Sequence, residues 1–121
     1  MIDMPFQKLL IWQKGMDLVD LIYEATRKFP KDELYGLTSQ VRRSAVSIPS
    51  NIAEGSQRST QKEFGKFVLI AKGSLAELHT QILISHRQKY LADNNLEKIS
   101  GLIIELDKMI RSFHLKLQKN Y

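Results

Sequence analysis

Residues 96–117 read LEKISGLIIELDKMIRSFHLKL, and their apolar side chains Leu96, Ile99, Ile103, Leu106, Ile110, Phe113 and Leu117 recur at intervals of 3-4-3-4-3-4. That spacing keeps one stripe of a helix facing inward over six turns. A seam of this kind asks for a neighbouring helix in left-handed, nearly antiparallel packing. Asn94-Asn95-Leu96-Glu97, an Asn-x-x-Glu capping box, is expected to open the helix. Ile104 and Leu115 fall roughly opposite the seam, on a face with Gly101, Lys108 and Lys119, and are expected to contact another subunit.

The same period runs back through the chain. A third helix is expected from the capping box Thr60-Gln61-Lys62-Glu63 to about Leu91, with Phe64, Phe67, Val68, Ala71, Leu75, Leu78 and Ile82 as its seam. A second begins between Lys31 and Thr38 and reaches Glu54, burying Leu34, Leu37, Val41, Ala45, Ile48 and Ile52. Gly55 reads as its left-handed stop. Pro49 lies inside this pattern, so a kink near Ala45 is expected, at a cost of about 3 kcal/mol if uncompensated, with a break into two helices as the alternative. The first helix spans Ile11 to Lys28, with Trp12, Met16, Val19, Ile22, Tyr23 and Thr26 inward, and Phe29-Pro30 ends it. Short connections make successive helices antiparallel. The expected fold is all-α: a single domain over 1–121, an up-down-up-down antiparallel four-helix bundle.

Composition agrees with a folded domain. Of 121 residues 43% are hydrophobic and 26% charged, and a chain of this size buries enough surface to fold without staples. There is no cysteine, which removes disulfides and thiolate chemistry and fits a reducing, cytoplasmic setting. The opening Met1-Ile2-Asp3-Met4-Pro5-Phe6 does not read as a signal peptide, and the uncharged runs are too short for a membrane span. The net charge of +5 permits an anionic partner and equally suits a protein that has none.

Enzyme chemistry finds little footing. Di-iron bundles need Glu-x-x-His on two helices, whereas Ala76, Leu83 and Arg111 stand three residues before His79, His86 and His114. No phosphate-binding glycine loop or nucleophile elbow occurs, and no spacing nominates a triad. No metal, cofactor, small-molecule substrate or catalytic residue is expected.

A polar stripe runs along the second helix through Arg43, Ser47, Ser50 and Glu54, flanked by Gln40, Ser44 and Asn51. The third helix carries a similar one at Gly73, Ser74, Glu77, Thr80 and Gln81. Either these are solvated faces, or they meet as a network fixing helix register, with Arg43 pairing with Glu77, Asn51 bonding across, and Gly73 allowing close approach.

One group of segments is more specific than any periodicity. It comprises Leu10-Ile11-Trp12-Gln13-Lys14, Phe29-Pro30, Leu37-Thr38-Ser39-Gln40-Val41-Arg42-Arg43, Ser47-Ile48-Pro49-Ser50-Asn51-Ile52-Ala53-Glu54-Gly55, Ala71-Lys72-Gly73-Ser74-Leu75-Ala76-Glu77-Leu78 and Thr80-Gln81. Across nearly its whole length the chain resembles the bacterial proteins encoded by intervening sequences of large-subunit ribosomal RNA genes. It departs from them at His79, where the family tends to carry an acid, and at Gln88-Lys89, where it tends to carry Leu-Gly. The resemblance implies a four-helix bundle assembling into a homopentameric ring. It also implies a distant similarity to the basic, pentameric, nucleic-acid-binding accessory proteins of diversity-generating retroelements.

Two functions compete. In the first, an oligomeric adaptor binds nucleic acid, RNA above all, through Arg42, Arg58, Lys62 and Lys66 around the turn between the second and third helices, helped by the helix N-terminus at Thr60. In the second, the protein is a protein-interaction scaffold and those bases are an ordinary solvated surface. No known RNA-binding motif is present, and the bases are not interleaved with aromatic residues. An enzyme with an unfamiliar site at a subunit interface is a third reading.

Overall fold

The computed structural model describes residues 5–119. Met1 to Met4, on which part of the no-leader reading rests, lie outside them. Four helices carry the fold: α1 (Leu10–Thr26), α2 (Leu37–Ser56), α3 (Gln61–Arg87) and α4 (Asp93–Gln118), with short 3-10 turns at Pro5–Lys8 and Lys31–Glu33. None of the described residues is in a strand. Each helix packs on two others, in the cyclic order α1, α2, α3, α4, so α1 and α3 face each other diagonally across the core.

The α4 seam is found as expected. Ile99, Ile103, Leu106, Ile110 and Leu117 are buried, and Leu96 and Phe113 are half-buried against them. Val41, Ala45, Ile48 and Ile52 of α2 meet them from across the core, together with Val68, Ala71, Leu75, Leu78 and Ile82 of α3. Leu34, expected on the inner face of α2, precedes that helix and is exposed.

In α1 the buried stripe is turned by about one residue from the expected one. Ile11, Gly15, Leu18, Ile22, Ala25 and Thr26 face inward, while Met16 is exposed and Trp12 and Val19 sit at the boundary. Gly15 and Pro49 explain the shift. Pro49 is buried against α1, and a β-carbon at Gly15 would stand 3.5 Å from its ring, so the two residues seat α1 on α2. Helix α2 runs unbroken through Pro49. The Trp12 indole meets the Phe6 ring edge-on at 5.4 Å, which lays the 3-10 turn Pro5–Lys8 against α1.

The helix ends correct three expectations. Gly55 is not a left-handed stop, since no glycine among the described residues has positive φ and α2 continues to Ser56. A β-carbon there would fall 2.6 Å from Cβ of Phe67 and 2.9 Å from Cδ1 of Phe64, so Gly55 is the point of closest approach between α2 and α3. Helix α3 ends at Arg87, short of Leu91, in a Schellman turn: Tyr90 N–H donates to the Ser85 carbonyl and Lys89 N–H to that of His86. Lys89 takes the left-handed position, φ 67°. Asn94 does not cap α4, which starts at Asp93 after Ala92 with no side-chain cap. The Thr60 box does form, its hydroxyl accepting from Glu63 N–H at 3.1 Å.

Helix α3 has a further property. Its most apolar 18-residue window reaches a mean hydropathy of 1.3 with only 28% of it buried, so by length and composition it could cross a membrane, contrary to the reading of its uncharged runs. Here it packs between α2 and α4, and the two charges at its middle are engaged: Lys72 lies 3.7 Å from Asp107, and Glu77 is held by Ser44.

Candidate nucleic-acid interface

The turn between α2 and α3 is short, because Gly55 lets the two helices close almost to backbone contact. Just beyond it, the Arg58 guanidinium lies 4.7 Å over the Phe67 ring and bonds Glu54 at 2.8 Å, one helical turn back. Packed on an aromatic face and half neutralised, Arg58 keeps donors directed to solvent. Lys62 and Lys66 follow one turn apart on α3, both exposed and without an ion-pair partner among the described residues. Lys62 and Lys66, four residues apart, lie on one exposed face of α3, and Arg58 precedes the start of that helix.

Arg42 does not belong with them. It lies 16 residues before Arg58 on the same helical path, roughly 24 Å away at 1.5 Å per residue. Its Nε donates to the Thr26 hydroxyl at 2.8 Å, and its guanidinium stacks 4.8 Å over Tyr23. Arg42 is a structural clamp between α1 and α2.

Three bases that the sequence did not nominate border this end of the molecule. Phe64, four residues before Val68 on α3, meets Phe113 of α4 edge-on at 5.4 Å. Phe113 in turn helps to floor a groove of about 470 Å³ with Leu9, Leu10, Ile11 and Met109, and Lys8, Lys108 and Lys116 line its rim. These lysines come from the two chain ends, so only tertiary packing joins them to the α2–α3 turn.

The polar stripes do meet, with different partners from those expected. Ser44 Oγ donates to Glu77 Oε1 at 2.8 Å, and Ser47 and Ser74 share a hydrogen bond of 2.9 Å. Asn51 Nδ2 donates to the Ser47 carbonyl and hydroxyl, within its own helix. Arg43 is exposed one position further round and makes no ion pair with Glu77. Glu54 is engaged by Arg58 at the surface. Gly73 faces outward, with nothing within 4 Å of where a β-carbon would stand, so it is no site of close approach within the chain.

Ile104 and Leu115 are exposed, as an oligomer contact requires. Ile104 borders a groove of some 420 Å³ between α3 and α4, shared with Ala76, His79 and Lys72. His86 pairs with Asp93 at 2.6 Å across the α3–α4 turn. Among the described residues no group of three histidines, cysteines or acids is placed to hold a metal ion.

The deciding comparison is with protein families: the 23S rRNA-intervening sequence protein family matches residues 7–112, nearly all of the chain. The protein belongs to this family. A solved structure from Bacteroides thetaiotaomicron, of a protein with unknown function from the S23 ribosomal protein family, superimposes with a TM-score of 0.80. It is 21% identical and covers 87% of this chain and 98% of its own, a likeness of fold. No curated protein matches the chain.

Proposed function

We propose that this family member is a non-enzymatic, homo-oligomeric adaptor that binds nucleic acid, RNA in particular, through the basic end of its bundle. The observation that carries this reading is the group of exposed bases Arg58, Lys62 and Lys66, in which neither lysine is neutralised by an ion pair within the chain. Phosphate contacts need such cations and little else, so binding is expected to be largely independent of sequence. One copy offers few contacts. A ring, five copies by the family resemblance, repeats them and raises their effective concentration. The order of contacts, Ser44 with Glu77, Ser47 with Ser74 and Gly55 with Phe67, supports helices that run alternately up and down.

The test is binding of labelled RNA across a salt series. Affinity should fall steeply with salt, and Arg58→Gln/Lys62→Gln/Lys66→Gln should weaken binding and flatten the salt dependence while leaving assembly intact. A triple variant that binds like the parent places the site elsewhere. A protein-interaction scaffold is the second reading, favoured by the exposed apolar side chains Leu69, Ile70, Leu83, Ile84 and Ile104. A parent that binds neither RNA nor DNA at low salt selects it.

A further inference from the structure

A hollow of about 790 Å³ opens at the end of the bundle where α1 stops and α3 turns into α4. It lies roughly 38 Å along α3 from Lys62, at the opposite end from the proposed RNA contacts. Its charge is one-sided. Lys28, Arg87 and Lys89 line it, all exposed and none with an ion-pair partner among the described residues. Of the described residues that line it, Asp93 alone carries a carboxylate, and that group is already bonded to His86 at 2.6 Å. Glu33, close by, does not line the hollow and accepts from both the Tyr90 hydroxyl and Leu37 N–H. A smaller recess alongside adds Lys98 together with Glu24, so the cations stay in excess.

The remaining wall is apolar and aromatic, formed by Ala25, Leu91 and Tyr90. The Tyr90 ring is held by Phe29, 5.8 Å away, and by the bond from its hydroxyl to Glu33. A fixed aromatic wall beside unmatched cations suits a ligand with a planar body and an anionic tail. Lys89 adds an independent observation. Its φ of 67° lies where glycine would sit without steric penalty, yet the position carries a base that lines the hollow. Backbone strain of this kind gathers at ligand sites, where the side chain does what an unstrained residue cannot.

We infer that this hollow binds a nucleoside diphosphate, its phosphates on Lys28, Arg87 and Lys89 and its base against Tyr90. A single phosphate ester carries at most about two negative charges, so three cations are better matched by a diphosphate. The planar fork of Arg87 suits paired phosphate oxygens, and the two lysines act as point charges around them. The volume falls within the roughly 300–1,000 Å³ of small-molecule sites, more than an inorganic anion fills. The site does not depend on the RNA reading.

The experiment is equilibrium dialysis of labelled ADP against the full chain at low salt. ADP should bind, its affinity should fall as salt is raised, and adenosine should not compete. Lys89→Gly should weaken binding about tenfold, the effect of one charge-assisted contact. The same substitution should raise the melting temperature, which separates loss of the ligand from loss of the fold. Lys28→Gln/Arg87→Gln should weaken binding about a hundredfold, one factor of ten for each contact. Arg43→Gln removes the same charge outside the hollow and should leave the affinity as it was. A parent that does not bind ADP overturns the inference, even where it binds RNA. Adenosine that competes as well as ADP overturns the role of the phosphates. Lys89→Gly and Lys28→Gln/Arg87→Gln proteins that bind like the parent, or an Arg43→Gln protein that loses as much as they do, overturn the choice of hollow.

Discussion

A β-carbon at Gly55 would lie 2.6 Å from Cβ of Phe67, whereas one at Gly73, eighteen residues further along the chain, would meet nothing within 4 Å. The two glycines have opposite reasons for being small. The first lets α2 and α3 touch, and the second leaves a gap on the surface.

Gly55→Ala should therefore destabilise the fold by about 1–3 kcal/mol, the usual cost of overpacking a tight contact. Gly73→Ala should stabilise the isolated chain by up to about 1 kcal/mol through helix propensity. Urea melts of the two variants check the pair. Equal shifts of the same sign would mean that the α2–α3 approach is looser than the geometry requires.

Leu106 is fully buried in the α4 seam. Leu106→Ala should cost about 2–5 kcal/mol by leaving a cavity among Ile103, Ile110 and the facing helices. A chemical-denaturation midpoint unchanged from the parent's would place this face in solvent.

Lys89 holds a left-handed conformation at the Schellman turn that ends α3. Lys89→Gly should raise stability by about 1 kcal/mol, because glycine adopts that conformation without a steric penalty. Lys89→Ala should gain nothing. Thermal melts compare the three proteins, and an equal gain for alanine would show that the lysine charge, not backbone strain, is at issue.

Ser44 and Glu77 should behave as a coupled pair. Ser44→Ala and Glu77→Gln each remove or weaken the 2.8 Å hydrogen bond, and the double variant should lose less than their sum. Arg43→Met, outside the pair, should change stability by no more than about 0.5 kcal/mol. Strict additivity of the serine and glutamate substitutions would sink the pairing.

The Tyr90 hydroxyl donates to Glu33 Oε2 at 3.1 Å, and that hydrogen bond, with the nearby carboxylate charge, holds its pKa above the ordinary phenol value. A raised folded pKa gives stability that is present at neutral pH and lost as pH climbs through the alkaline range. Tyr90→Phe should flatten the stability profile there and leave its acid side unchanged. Guanidinium melts taken from pH 7 upward provide the reading.

Most of the fold was legible because heptad spacing in α4 and the Thr60 box depend on near neighbours in sequence. The phase of α1 was not, since Met16, Val19 and Tyr23 make that helix apolar around much of its circumference. Its true inner face is marked by Gly15, which carries no hydrophobic signal and matters only beside Pro49. Gly55 misled for a related reason: glycine serves a left-handed stop and a close approach equally, and only Phe67 tells them apart. In the candidate interface, Lys62 and Lys66 share a face of α3 because they stand four residues apart, a spacing that sequence carries directly. Lys8, Lys108 and Lys116 reach that end of the molecule through the packing of the first 3-10 turn on α2 and of α4 on α1 and α3, which local spacing does not encode.

The edge-on packing of Trp12 against Phe6 has a practical consequence. Trp12 is the only indole in the chain and sits half-buried where the first 3-10 turn meets α1. Its emission wavelength and quenching therefore report on one site, the attachment of the N-terminal segment to the helices. Lifting that segment should expose the ring to water and shift the emission to the red, while the far-ultraviolet circular dichroism of the four helices stays as it was. The protein thus contains an intrinsic optical probe that separates local detachment from global unfolding without any label.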